Sequence, residues 1–309
     1  MTKWGRRDKP ENAQGVRMLD QTAKLKDWLG RSRKEDDELS TGSVRRLAAM
    51  LDQDPAAYKR GVELPESWYA ILFGPTARQS TIGRDGHPRT GGDDILPPLN
   101  NTRRMFAGRR ATFHKPLCVG DMVERVSTVR GVEPKTGRTG SFVLVTIVHE
   151  MTTGSGLAVT EEQDLVYRED VGAGADGAAK PAQQATPRAA TEKADHTVEW
   201  KPDTVQLFRY SALTFNAHRI HYDLPYTREV EGYPALVING GLTALMLVEA
   251  ARPKVSGTIT GYDARAMAPL FMGQTVLLNS RASGDTVETW ASSADGGVHY
   301  RVNISLNKK

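Results

Sequence analysis

Two histidines three positions apart, His218 and His221, follow Asn216 in the stretch FRYSALTFNAHRIHYDLPYTREVEGYPALVINGGLTALMLVE, residues 208–249. An imidazole titrates near neutrality and can both take and give a proton, so His221 is the best-suited general acid/base, a role worth ~10²–10⁴-fold in rate. Asn216 would hold a water or the imidazole, and His218 would be a second proton-transfer group or an orienter. Further on, Asn239-Gly240-Gly241 opens an unusually apolar helix-like run. The first N–H groups of a helix have no intrahelical acceptor and lie at its positive end. The Gly240 N–H would therefore grip an oxygen that develops negative charge, worth roughly 10²–10³-fold for one donor. Asn239 is a helix cap first and a ligand second, and Asn239 and Gly241, in the same turn, are expected to contact the substrate. The pattern suits proton transfer beside a polarised carbonyl. Two histidines three apart also suit a metal, but the local sequence offers no third ligand, so none is expected.

These residues need elements to hold them. Asp203 caps an expected helix TVQLFRYSAL with Gln206 at the capping-box position, and Asp223 caps the turn after His221. Asn239 caps GGLTALMLVEAAR, which is apolar nearly all round and so belongs inside the protein. Strands TVLLNSR, TVETWA and VHYRVNISL follow; the last places Val298, Tyr300, Val302, Ile304 and Leu306 on one face. The first half reads alike. Residues 21–39 give a short helical signal around Leu25, Trp28 and Leu29, ended by Gly30, and Ser40-Thr41 caps SVRRLAAMLDQD. LPESWYAILF is a second apolar run. A long loop rich in Gly, Pro and Asp follows, of a kind that is usually functional or mobile. Strands RRATFHKP, MVERVSTVRGV, GSFVLVTIVHEM and GLAVTEEQDLVY complete an α+β pattern.

The chain has 309 residues, enough for two domains, with 39% hydrophobic and 25% charged residues. The net charge of +4 is modest and interleaved, which argues against a nucleic-acid surface. No apolar run reaches spanning length, no secretory signal opens the chain, and a single cysteine, Cys118, fits a reducing, cytoplasmic setting as a buried structural thiol. Residues 1–20 read as a disordered lead-in, 21–169 as a first half, 170–197 as an Ala/Gly/Pro-rich flexible linker and 198–309 as a second half. Pro116-Leu117-Cys118-Val119-Gly120-Asp121-Met122-Val123 matches Pro269-Leu270-Phe271-Met272-Gly273-Gln274-Thr275-Val276, each ahead of antiparallel strands. This suggests an internal duplication and an intrachain pseudo-dimer.

The runs LPPLNNTRRMFAGRRATFHKPLCVGDMVER, GLAVTEEQDLVYRE, SALTFNAHRIHYD and MAPLF carry a resemblance to the MaoC-like double-hotdog acyl-CoA hydratases. Within them the chain is most similar to the mesaconyl-C4-CoA (3-methylfumaryl-CoA) hydratases and the mitochondrial-type 3-hydroxyacyl thioester dehydratases. The resemblance implies a tandem hotdog, two antiparallel sheets each wrapped on a central helix, with the site between them. It implies a hydro-lyase acting on an α,β-unsaturated acyl-CoA, with coenzyme A as part of the substrate and no other cofactor. In the wider R-hydratase group the loop carries Asp, Asn and His; Asn216, His218 and His221 occupy those positions, and the narrower family shares N-x-H-x-x-H. An amide cannot take a proton. The family usually has His-Gly where this chain has Asn239-Gly240.

Arg103-Arg104 and Arg109-Arg110 flank MFAG and read either as solvated charge or as contacts to coenzyme A phosphates or a substrate carboxylate. Arg103, Arg104 and Phe106 are the expected substrate contacts in the first half. That half offers Asp52-Gln53-Asp54-Pro55 after its helix but no histidine there, so one active site per chain is expected, in the second half. His114, His149 and His299 are read as structural or solvent-facing. Three alternatives stay open: a carrier-protein-bound 3-hydroxyacyl substrate, a non-catalytic acyl-thioester binder, and a homodimer of the pseudo-dimer.

Overall fold

Strands dominate because most of the chain alternates apolar and polar residues in short runs broken by tight turns. The computed structural model describes residues 25–89, 95–97, 102–137, 140–169 and 187–307, with backbone alone for 26, 102, 103, 137, 140 and 169. The expected lead-in, and residues 170–186 of the expected linker, lie outside the described residues.

In the first half, Ser32–Glu38 (β1) precedes the helix Thr41–Met50 (α1), a 3-10 helix Glu66–Ile71, and strands Thr102–Phe113 (β2), Met122–Gly137 (β3), Gly140–Thr153 (β4) and Gly156–Glu169 (β5). The second half has Arg188–Ala189 (β6), His196–Trp200 (β7), the helices Thr204–Leu213 (α2), Leu224–Glu229 (α3) and Gly240–Ala251 (α4), then Thr258–Ala266 (β8), Val276–Ser283 (β9), Thr286–Ser293 (β10) and Gly297–Asn307 (β11). All strands join one sheet in the order β1-β3-β4-β5-β2-β8-β11-β10-β9-β7, with β6 on β11. The order is a palindrome about the β2–β8 pair. The repeated motif makes the same hydrogen bonds in both halves: Leu64 N–H to Leu117 O and Ile238 N–H to Leu270 O, each 2.8 Å, then Val119 N–H to Val62 O and Met272 N–H to Leu236 O, each 2.9 Å. The duplication is thus structural as well as sequential.

At the seam, two strands approach where each lacks a side chain. A Cβ on Gly108 would stand 2.7 Å from Ala264 O, and one on Gly261 2.5 Å from Ala111 O. Those glycines explain why TITGYDARA carries little strand signal in the sequence, where β8 is not expected, yet forms the joint between the halves. The sequence also gives no hint of β1. SRKEDDE has no apolar face; it is an edge strand whose charges pair with its neighbour, Lys34 with Glu124 and Arg125 with Glu35, each at 2.6 Å. The end of the expected linker is likewise strand, since Arg188–Ala189 pairs with β11 and β7 begins at His196.

The apolar helix is α4, with Leu242, Leu247 and Ala251 at most 1% exposed, packed on β9, β10 and β11. Its counterpart in the first half is only the 3-10 helix Glu66–Ile71, which begins after Pro65 without a side-chain cap. One core runs across both halves, from Val44, Leu47 and Trp68 to Leu207, Leu242 and Ile304. The far ends of β3–β5 bury a second cluster with Leu25, Ile95 and Leu96. Glu249 near the end of α4 accepts hydrogen bonds from Gln53 Nε2 (3.1 Å) and Trp68 Nε1 (3.2 Å), tying the halves together.

Candidate active site

Asp203 caps α2 through the Gln206 N–H, as expected, but the reciprocal arm of the capping box is not made. The Gln206 side chain instead accepts from Trp200 Nε1 at 2.8 Å, because a buried indole N–H needs a partner. After α2 the chain reverses at Phe215, φ +51°, and the Asn216 N–H returns to Ser211 O at 2.8 Å. The Asn216 Oδ1 then accepts the His218 N–H at 3.0 Å, a local turn that fixes the start of the histidine segment. A 3-10 turn Arg219–His221 follows, and Asp223 caps α3 through the Tyr226 N–H. The first half repeats this reversal at Asp52, φ +55°, with the Gln53 N–H to Ala48 O, but there Asp54 caps a turn and no histidine follows.

His221 is 7% exposed, and its Nδ1 lies 2.8 Å from Val237 O, two residues before the cap of α4. A carbonyl can only accept, so Nδ1 carries the proton and Nε2 presents a lone pair. Burial pushes the imidazole down to about 4, against the raising effect of the Val237 bond, and the nearby His87 pushes it the same way as burial. Asn239 Oδ1 caps α4 through the Gly241 N–H at 2.8 Å, and the Thr243 N–H bonds Asn239 O. The Gly240 N–H, at the first helical position, has no protein acceptor among the described residues. The expected imidazole and the expected helix mouth are therefore brought together through Val237.

His218 packs edge-on against His221, ring centres 5.5 Å apart. On its other side lies His87, ring centre 4.1 Å away, whose Nδ1 is 2.9 Å from Asp85 Oδ2. Burial raises the Asp85 carboxyl, but the hydrogen bonds and charge of His87 outweigh it and hold the group at about 2. Asp85 and His87 belong to the first half. Their segment docks on the histidine loop through the Arg219 N–H to Asp85 O (2.9 Å) and Arg219 Nη1 to Arg84 O (3.1 Å). Gly86, φ +93°, sits so close to the loop that a Cβ would be 1.8 Å from Ala217 O. Asp85, His87 and His218 place possible metal-ligand atoms within 4.8 Å of one another. The local sequence around His218 offers no third donor; the fold supplies one from more than a hundred residues away. Sequence reasoning missed Asp85 and His87, and the long loop's length was the only signal.

Of the arginines, Arg110 faces out and is paired with Glu162 and Asp164, each at 2.8 Å. A bulge in β2 beside Phe106 keeps Arg104, Phe106 and Arg109 on one face, paired across to Tyr167, Leu165 and Gln163. Arg103 pairs with Arg168, and its side chain is outside the described residues. Arg104 lies beyond the stretch of β2 that pairs with β8, while Phe106 packs against the shared core. His149 bonds Ser127 Oγ (2.8 Å), His299 bonds Pro269 O (2.8 Å) and His114 bonds Thr160 Oγ1 (3.0 Å), all structural contacts. Cys118 is half-buried, with its thiol pushed up by burial.

The palindromic sheet and the buried helix α4 define a tandem-hotdog protein. The family model "Hydroxyacyl-thioester dehydratase type 2" matches residues 68–272, and the chain belongs to that family. The chain is 39% identical over 280 residues to a mesaconyl-C(4)-CoA hydratase of Chloroflexus aurantiacus, covering 90% of this chain and 96% of that one. Among solved structures it is similar to HtdX of Mycobacterium tuberculosis (TM-score 0.62, 15% identity, 90% of this chain and 100% of that chain). A second protein of that organism, described as having a double hotdog fold, matches with TM-score 0.52 at 15% identity over 90% of this chain and 96% of its own. The protein is an acyl-thioester hydro-lyase. No helix among the described residues is long and apolar enough to cross a membrane.

Proposed function

We propose that the protein adds water across the double bond of a short α,β-unsaturated acyl-CoA of the mesaconyl or methylfumaryl type. The observation that carries this reading is the His221 ring held by Val237 O beside the mouth of α4, in a chain 39% identical to a mesaconyl-C(4)-CoA hydratase. The thioester oxygen takes the Gly240 N–H. His221 Nε2 removes a proton from water as its oxygen bonds to the β-carbon, and the π electrons move to the α-carbon and the thioester oxygen. The enolate then takes a proton at the α-carbon and the thioester is restored. Asn216 Nδ2 is left to orient the water, since Oδ1 is occupied by the His218 N–H. The proton that the α-carbon takes is the one His221 Nε2 removed from water, while the rings of His218 and His87, the latter bonded to Asp85, pack beside His221 and position it. Asp85 and His87 already bond each other, which favours a positioning role over a metal site.

Incubation with a panel of CoA thioesters, read by mass spectrometry, is expected to show gain of one water on mesaconyl-C4-CoA or crotonyl-CoA. His221→Ala should lose ~10²–10⁴-fold of that rate. Dialysis against a chelator should leave it unchanged. No mass change on any CoA thioester, with turnover only of carrier-bound 3-hydroxyacyl substrates, would move the reading to a carrier-protein dehydratase. Binding without turnover of either would make the protein an acyl-thioester binder.

A further inference from the structure

Behind the helix mouth lies a buried polar group that the proposed hydration does not use. Arg109 of β2 points inward over the Phe106 ring, 5.2 Å from its centre, with Nη1 3.3 Å from Glu161 Oε2. Tyr69 donates its hydroxyl to the same Glu161 oxygen and lies 2.8 Å from the Tyr262 hydroxyl. Tyr210 and Tyr300 complete the group and reach α4. A Cβ on Gly241 would be 2.5 Å from the Tyr210 hydroxyl, and one on Gly240 3.4 Å from Tyr300 Cε2. The charge of Arg109 acts on the hydroxyls of Tyr210, Tyr262 and Tyr300.

Two features are left over if this is only an ion pair at the seam. The Tyr300 hydroxyl is buried and has no hydrogen-bond partner among the described residues. Such a group is costly to bury unless something completes it. Arg109 also keeps 19% of its side-chain surface accessible, although Tyr69, Glu161, Tyr210, Tyr262 and Tyr300 around it are each under 9% exposed. A guanidinium has five N–H donors in a planar fork, and one oxygen of Glu161 together with the Tyr262 hydroxyl does not use them up.

We propose that Arg109, with the Tyr300 hydroxyl, binds a free carboxylate at the acyl end of the substrate, so that the enzyme selects dicarboxylic enoyl thioesters over plain ones. The inference rests on the reading of Gly240 as the thioester-oxygen site. With the thioester oxygen there, a short acyl chain runs past Tyr300 toward the guanidinium. Glu161, held by Tyr69 on one side of the guanidinium, limits the fork to one further anion and makes a neutral acyl end a poor fit.

The test measures kcat/KM for mesaconyl-C4-CoA, which carries a free carboxylate, and crotonyl-CoA, which does not, on the full chain. Tyr300→Phe keeps the ring, and the ratio of the two constants is expected to fall about tenfold, the size of one lost hydrogen bond to a charged group. The pair Arg109→Gln with Glu161→Gln removes both charges without stranding either, and the ratio should fall about a hundredfold. An unchanged ratio in Tyr300→Phe, or equal losses on both substrates, would overturn the proposal. So would a native enzyme that prefers crotonyl-CoA. Failure of the native chain to hydrate either thioester would instead refute the hydratase reading.

Discussion

His221 titrates at about 4 rather than the ordinary 6.5, first because it is buried. Its tie to Val237 O pulls the other way and loses. The unfolded chain therefore binds a proton between about pH 6.5 and 4 that the folded chain does not. Folding stability must fall as the pH drops through that window, by up to about 3 kcal/mol from this residue. His149 and His299, also held low by burial, add to the slope in the same direction. His221→Gln should flatten its share of the decline in urea midpoint over that range. The same shift sets catalysis. A base that stays neutral down to about 4 predicts an acid limb of kcat/KM near that value. A limb near 6.5 would show that the buried ring is not the base.

At the scale of elements, the site depends on how the segment around residues 81–89 seats on the histidine loop. Its Arg89 N–H returns to Thr81 O and its Gly83 N–H to His87 O, closing a small hairpin that carries Asp85 and His87. Gly86→Ala would both strain a φ of +93° and drive a methyl into Ala217 O, so the hairpin must lift. The expected result is a kcat loss of tenfold or more with stability reduced by about 1–3 kcal/mol, read by turnover and thermal unfolding on one sample. Full activity in that variant would remove Asp85 and His87 from the mechanism. This hairpin also marks where the sequence stops being readable. His218, His221 and the Asn239 cap were legible because local turns and a helix start place them within one stretch. Asp85 and His87 gain meaning only from contact with residues far along the chain. β1 and β8 were hidden for a related reason: one is held by cross-strand charge, the other by close backbone approach, and neither leaves an apolar alternation.

At the scale of the molecule, the palindromic sheet has one asymmetry that matters. Each half makes the same bonds around its repeated motif, but the second continues into a capped twelve-residue helix and the first into a six-residue 3-10 helix after Pro65. A short helix without a free, capped N-terminus offers no comparable oxyanion donor. The turn that follows the reversal at Asp52 carries no histidine, as Asp54 caps it instead. In the proposed reaction the first half has no catalytic histidine loop of its own and contributes Asp85, His87 and Arg109 to the site of the other. The seam carries that division of labour. β2 pairs with β8 across five residue positions, Gly108 to Thr112, and Glu249 of α4 is bonded by Gln53 and Trp68 of the first half. Residues 187–309 expressed alone would expose the β8 edge and leave Glu249 without those partners, so they should aggregate and show no hydration. Co-expression with residues 1–186 should restore a soluble complex with turnover. A second half that is active by itself would mean that the hairpin and the arginine of the first half lie outside the reaction.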